Sequence, residues 1–451
     1  MKITFLGGTE TVTGSKYLVE TQNTRILVDC GLYQGYKWLR RRNWEPLPLD
    51  INTLDAVLLT HAHLDHSGYL PVLFQQGFRG SVITHHATKE LCSILLADSG
   101  HIQEEDTKFY ARHKLSKHEN PLPLYDRATA QQSMALFQSV EFGESVAIGD
   151  IEARLQSAGH ILGAASIILA AEGKKVGFSG DVGRPDDIFM RSPQALPELD
   201  LLLLESTYGN RRHDQTDPFQ QLAELVNTTT KRGGAILIPS FAVGRAQTLQ
   251  HMLTTLMEAD RIPRMPIYLD SPMAINVSDI YCRYANEHRL TQAQCHAMCK
   301  AVTYTRSTDD SKALSGQQFP HIIIAGSGMA TGGRILHHLK RLLSDRRTTV
   351  LFTGYQAGGT RGAKMLEGVE SVKIHGEWIS NNAQVAVLHG LSGHGDYVEI
   401  EQWLKQSALQ KNMSIQLVHG DPDALEGMRD HLRRTTAFDV EIAGDLAILK
   451  L

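Results

Sequence analysis

The chain has 451 residues, 42% hydrophobic and 21% charged, with a formal net charge of −4. That length exceeds one ordinary core and calls for two domains, or for one domain carrying a large insertion. The slightly acidic balance excludes recognition of nucleic acid through a global basic field, and no apolar run is long enough to span a membrane.

The opening "MKITFLGGTE" breaks its apolar run with glycines at once and lacks a signal-peptide core. Five scattered cysteines, an odd number, predict reduced thiols in a cytoplasm and no disulfide framework. "KITFLGG", "SKYLVET" and "TRILVDCG" then read as three short strands, the third ending at Asp29. "LRRRNW" at 39–44 and "NRRHD" at 210–214 are basic stretches that serve equally as solvated loops or as polyanion contacts.

In "AVLLTHAHLDHSGYLP", residues 56–71, an apolar strand runs into three histidines and an aspartate. At i, i+2 on extended backbone His61 and His63 leave on the same side, and Asp65 and His66 fall on the turn into a helix. Crowding imidazoles beside an apolar strand brings a desolvation cost and no packing gain. As a metal site, the donor set suits zinc, with iron or manganese behind it.

After a strand at 81–84 and a helix with a polar excursion, "ARLQSAGHILGAASIIL" places His160 in a glycine-flanked turn. "KKVGFSGDVGRP" then places Asp181 at a strand end. His61, His63 and His160 can hold one metal and Asp65 with His66 a second, with Asp181 as the bridge. Such a pair generates hydroxide at neutral pH and clamps an anionic transition state.

"LDLLLLESTYGNR" closes another apolar strand at Glu205, and from there to about residue 380 buried-type strands alternate with helices, the pattern of a parallel α/β layer. Its strands "GGAILIPSF", "HIIIAGSG" and "TTVLFTG" end in small-residue loops of the kind that hold phosphate. Ser240, Arg245, Gly326, Ser327, Gly328, Arg334 and Arg361 are the expected phosphate contacts, with Ser392 further on. The glycines at 326, 328 and 332 only approximate a dinucleotide fingerprint and lack its acidic partner, so no nucleotide cofactor is expected. Cys295, His296 and Cys299, with Cys282 nearby, match no common zinc knuckle. "LSGHGDYVEI" and "SIQLVHGDP" contribute His394 and His419.

"HAHLDH" with Asp29, His160 and Asp181 in this order resembles the metallo-β-lactamase fold, a pair of stacked sheets flanked by helices. Glu205, His394 and His419 resemble the added motifs of its β-CASP branch, nucleases that cut nucleic acid chains. The likeness covers nearly the whole chain, including "DSGHIQEED" at 98–106, and extends to the catalytic subunit of the pre-mRNA 3′-end cleavage factor and its prokaryotic relatives. With no archaeal-type N-terminal nucleic-acid-binding domain before Met1, the shorter bacterial members are the expected match.

The resemblance implies an αββα sandwich formed by residues 1–205 and 385–451, with a parallel α/β β-CASP domain inserted at 206–384. It makes His419 a ligand of the second metal and His394, oriented by Glu205, the general acid. Asp65 acts in catalysis as well as in metal binding, and Asp29 orients ligand imidazoles. The implied reaction is hydrolysis of single-stranded RNA by hydroxide shared between two zinc ions, leaving 3′-hydroxyl and 5′-phosphate ends. DNA-processing members typically carry valine at the His419 position, so the histidine favours RNA. The rivals are a hydrolase of small esters, thioesters or lactams and a non-catalytic scaffold subunit; a diiron redox role would call for a carboxylate in place of a cluster histidine. Internal or end-directed cutting, the RNA target and homodimer formation stay open.

Overall fold

The computed structural model describes residues 1–113, 121–314, 317, 319–354, 356 and 359–451. Two compact units emerge, one from Met1–Arg212 with Gly393–Leu451 and the other from His213–Ser392.

The first unit is built on two seven-stranded sheets. One runs in the order Ile448–Lys450, Lys2–Gly7, Lys16–Glu20, Arg25–Val28, Ala56–Leu58, Ser81–His85, Phe137–Val140. The other runs Asp439–Ile442, Ser414–Val418, Leu201–Glu205, Lys174–Phe178, Ala165–Ala171, Ile151–Ser157, Ser145–Ile148. Each sheet is antiparallel at one end and parallel at the other.

The four leucines before Glu205 show why a continuous apolar run belongs here. Successive strand residues point to opposite faces. Leu201 and Leu203 enter the core between the sheets with Ile3, Val28 and Leu58. Leu202 and Leu204 enter a second core with Ile400, Trp403, Leu425 and Met428 of the helices Tyr397–Gln406 and Pro422–Thr435. A strand covered on both faces has no polar side to display. The sheets and outer helices form the expected αββα sandwich.

The second unit holds a six-stranded sheet in the order Thr303–Tyr304, Ile267–Asp270, Ile322–Ala325, Ile236–Pro239, Thr349–Phe352, Gln384–Val387, with every pairing parallel. The strand Gln384–Val387 stays with this insert because it pairs with Thr349–Phe352. The small-residue loops leave the carboxyl ends of its central strands, where parallel sheets build sites.

Candidate active site

In the first unit Asp29, the His61–His66 group, Asp181 and His419 follow strands, Glu205 ends one, and His160 sits in the turn between two more. Asp29 and His419 adopt φ of +60° and +50°. Left-handed backbone at non-glycine residues costs energy and gathers where a site demands a particular side-chain direction.

Two donor groups meet at Asp181. On one side His61 Nε2 lies 3.1 Å from His63 Nδ1, and His160 Nε2 lies 3.2 Å from the same atom. Asp181 Oδ2 faces His61 at 3.3 Å and His160 at 3.5 Å. On the other side His66 Nε2 and His419 Nε2 are 3.2 Å apart, and His419 Nε2 is 3.4 Å from Asp65 Oδ2. Asp181 Oδ1 faces His66 at 3.2 Å, so the carboxylate spans both groups.

The outer nitrogens decide what the inner ones can do. His160 Nδ1 donates to Gly393 O at 2.8 Å and His66 Nδ1 donates to Asp29 Oδ2 at 2.7 Å. His61 Nδ1 faces Thr60 Oγ1 at 3.1 Å, and that hydroxyl donates to Asp29. These bonds fix the tautomers, leaving lone pairs on the inner Nε2 atoms, aimed at one another and at a carboxylate. Asp181 Oδ1 is buried and accepts no hydrogen bond within the described residues. A pocket lined by acceptors alone is complementary to cations, and these donors fit a pair of zinc-like ions.

The electrostatics agree. Burial pushes His63 down to about 3 and lowers His61 and His160. Burial also opposes charge on His66 and His419, but Asp181 with Asp29, and Asp181 with Asp65, outweigh it and raise both. One half of the cradle presents neutral imidazoles, and the other draws in the positive charge that a metal would displace.

His394 stands beside this cradle. Its Nδ1 donates to Glu205 Oε1 at 3.1 Å, and its Nε2 lies 3.9 Å from Asp181 Oδ2. Glu205 is buried and also accepts from the Val182 N–H at 2.6 Å and from the Thr207 hydroxyl. Burial disfavours a charged His394, yet Glu205 and Asp181 hold it up to about 9.

Sequence reasoning missed Thr60 and Thr207. Thr207 Oγ1 lies 3.2 Å from His419 Nδ1 while donating to Glu205. Thus Glu205 orients His394 directly and His419 through a threonine, as Asp29 orients His66 directly and His61 through a threonine. The available signal was position, a hydroxyl one residue before His61 and another two residues after Glu205. Lys16 was missed as well. Fully buried and pushed down to about 8 by that burial, it donates to the carbonyls of Gly14 and Gly31 and pins the loop leaving Asp29.

In the second unit the expected phosphate residues have mixed occupations. Arg334 is turned inward, with Nη1 2.7 Å from the buried Asp270 and further bonds to the carbonyls of Thr305 and Arg306. Asp270 also accepts from His338 and Ser311, a buried network that no strand pattern announced. Arg361 donates to the carbonyls of Lys373 and Ala330. These two guanidinium groups therefore tie loops of the unit together. Ser327 accepts from the N–H groups of Thr331 and Gly332 and closes its own loop, while Ser240 donates to Phe241 O.

Arg245 opens the helix Arg245–Glu258, and Ser392 ends the unit. Gly326 and Gly328 lie in the loop after Ile322–Ala325, where a Cβ on Gly328 would come within 2.8 Å of the half-exposed Phe241 ring. Of the third small-residue loop, 355, 357 and 358 lie outside the described residues. The Cys282 and Cys299 sulfurs are 3.2 Å apart while exposed His296 faces Gln292, and no metal-holding group forms there among the described residues.

A bridged pair of histidine and carboxylate clusters at the strand ends of an αββα sandwich defines a metallo-β-lactamase-type hydrolase. Residues 24–238 match the beta-lactamase superfamily domain, 246–365 the Beta-Casp domain, and 378–443 the Zn-dependent metallo-hydrolase RNA specificity domain. The chain is 37% identical over 432 residues to "Ribonuclease TTHA0252" of Thermus thermophilus, covering 94% of each. It is 31% identical to "Transcription termination factor FttA" of Methanocaldococcus jannaschii, covering 96% of this chain and 69% of that one. An "RNase J-like protein" of the same organism is 29% identical, with 92% of each covered. A crystal structure of a protein of unknown function from Enterococcus faecalis superposes with a TM-score of 0.56 at 13% identity, covering 100% of this chain and 99% of that one, a likeness of fold. The chain belongs to the β-CASP family of metallo-β-lactamase-fold hydrolases. Among the described residues no helix is long and apolar enough to cross a membrane.

Proposed function

We propose that this protein hydrolyses phosphodiester bonds of single-stranded RNA, using two zinc ions and leaving 3′-hydroxyl and 5′-phosphate ends. The observation that carries the proposal is the Glu205–His394 pair, a positioned proton donor 3.9 Å from the bridging Asp181. Small substrates with acidic leaving groups, such as thioesters, need no such donor, whereas an alkoxide leaving group does. The ribonuclease name of the Thermus relative and the match to an RNA specificity domain support RNA as the polymer.

His61, His63 and His160 would hold one ion and Asp65, His66 and His419 the other, with Asp181 shared. The ions, when bound, supply a deprotonated water and the positive charge that phosphodiester hydrolysis requires. Asp65, one-fifth exposed, would accept a proton of the attacking water. Below about pH 9 His394 carries the proton that the leaving 3′ oxygen takes. Asp29 and Glu205 keep the imidazoles in the tautomers these roles need.

The test combines elemental analysis with a time course on end-labelled RNA, run with and without a blocked 5′ end. Near two zinc ions per chain and RNA fragments with phosphatase-sensitive 5′ ends are expected. A metal-free protein, or one that cleaves a chromogenic thioester or lactam but not RNA, would overturn the proposal. His394→Ala should keep both ions and lose on the order of a hundredfold or more in RNA turnover. It should be far less impaired on a phosphodiester with an acidic phenol as leaving group, and equal impairment on both substrates would remove His394 from the acid role.

A further inference from the structure

Residues 36–44 carry an unusual surface in the first unit. Tyr36, Trp38 and Trp44 are 68%, 62% and 62% exposed, and Lys37, Arg40 and Arg41 are exposed beside them. These three cations make no hydrogen bond or ion pair among the described residues, although carboxylates elsewhere on the surface are commonly paired. Large rings left singly in water are ordinary; three within nine residues mark an interaction site.

The platform beneath them is fixed. Leu39 is buried, and Asn43 makes two hydrogen bonds with the Tyr33 backbone, at 2.9 and 2.8 Å. Arg42 lies over the Tyr33 ring and pairs with Asp445 at 3.0 Å. Four residues before the segment, the Leu32 N–H donates to Leu64 O beside the His61–His66 donors. The rings thus project from and around the short helix Lys37–Arg42, whose inner side is pinned by Leu39, Arg42 and Asn43. Tyr36 follows Asp29 by seven residues, so it lies at most about 25 Å along the chain from the cradle.

We infer that the Tyr36–Trp44 segment is a binding platform for single-stranded RNA, with bases stacked on Tyr36, Trp38 and Trp44 and phosphates paired with Lys37, Arg40 and Arg41. Exposed rings interspersed with cations that pair with no carboxylate among the described residues match a chain that carries both bases and phosphates. The inference rests on the RNA reading of the active site and adds to it a contact surface at a distance from the chemistry. Exposed aromatic rings tolerate any base, so the platform confers affinity with little sequence preference.

The test uses the full-length protein and a phosphorothioate-linked oligouridylate, with an abasic oligomer of equal length as the comparison. Trp38 and Trp44 should be quenched when the oligouridylate binds, the signal being lost in Trp38→Ala/Trp44→Ala. That variant should bind the oligouridylate about tenfold more weakly per ring removed while binding the abasic oligomer unchanged. Lys37→Gln/Arg40→Gln/Arg41→Gln should lower the slope of log affinity against log salt by roughly 0.7 per charge for both oligomers.

In both variants KM for long RNA should rise while turnover of a mononucleotide-sized phosphodiester, too short to reach the platform, stays unchanged. Undiminished binding in both variants, or equal loss on both oligomers in the ring variant, would overturn the inference and leave the ribonuclease reading intact. Quenching and ring-dependent binding by a protein that cleaves no RNA would sustain the platform and sink that reading instead.

Discussion

Two threonines do the same thing in two places. In each, a buried carboxylate takes one histidine directly and a second through a hydroxyl, and the four imidazoles so aimed include three of the metal-facing set. Thr60→Val keeps the branched shape but breaks the bond to His61 Nδ1. Metal affinity should fall on the order of ten- to a hundredfold in a competitive chelator titration, the usual worth of a partner that orients a ligand. The Glu205 carboxylate has a second consequence, in pH. His394 is raised to about 9, so its proton is present below that value and is lost as pH rises through it. Activity should therefore have a basic limb, and Glu205→Gln, which removes the largest raising influence and leaves burial, should move that limb to lower pH. An unmoved limb in a pH–rate profile would detach the carboxylate from the histidine's proton.

At the level of elements, strands ending in histidine or aspartate were legible because the donors stand at the ends of apolar runs, and those runs can only be buried strands. The apolar strand that closes at Glu205 and the parallel layer of the insert were legible for the same reason. The occupations of Arg334 and Arg361 were not. A guanidinium after a glycine-rich loop reads the same whether it turns out to a phosphate or in to a carboxylate, and only the fold places Asp270 and His338 within its reach. Arg334→Ala should therefore act on stability. Losing a hydrogen bond to a buried carboxylate costs about 1.5–3 kcal/mol. The denaturant midpoint of the insert should drop accordingly, with the salt dependence of RNA binding unchanged.

Across the whole molecule, the first unit is assembled from segments on both sides of the insert. Ser414–Val418 pairs with Leu201–Glu205, and Ile448–Lys450 pairs with Lys2–Gly7, so each sheet takes strands from beyond residue 392. A chain ending at residue 392 lacks those strands, the helices that cover Leu202 and Leu204, and His419. It should lose the cooperative unfolding of the first unit and should fail to retain two zinc ions through gel filtration. Retention of both ions would mean that His419 is dispensable to the cradle.

That shared construction also sets an order in time. Ribosomes add about 5–20 residues per second, so His419 emerges on the order of ten seconds or more after Asp181. During that interval the nascent chain holds four histidines of the cradle, His61, His63, His66 and His160, but lacks His419 and, for most of it, His394. On the proposed mechanism a growing copy is thus chemically mute while it remains tethered to its own message, and cutting power arrives only as the last strands close the sheets.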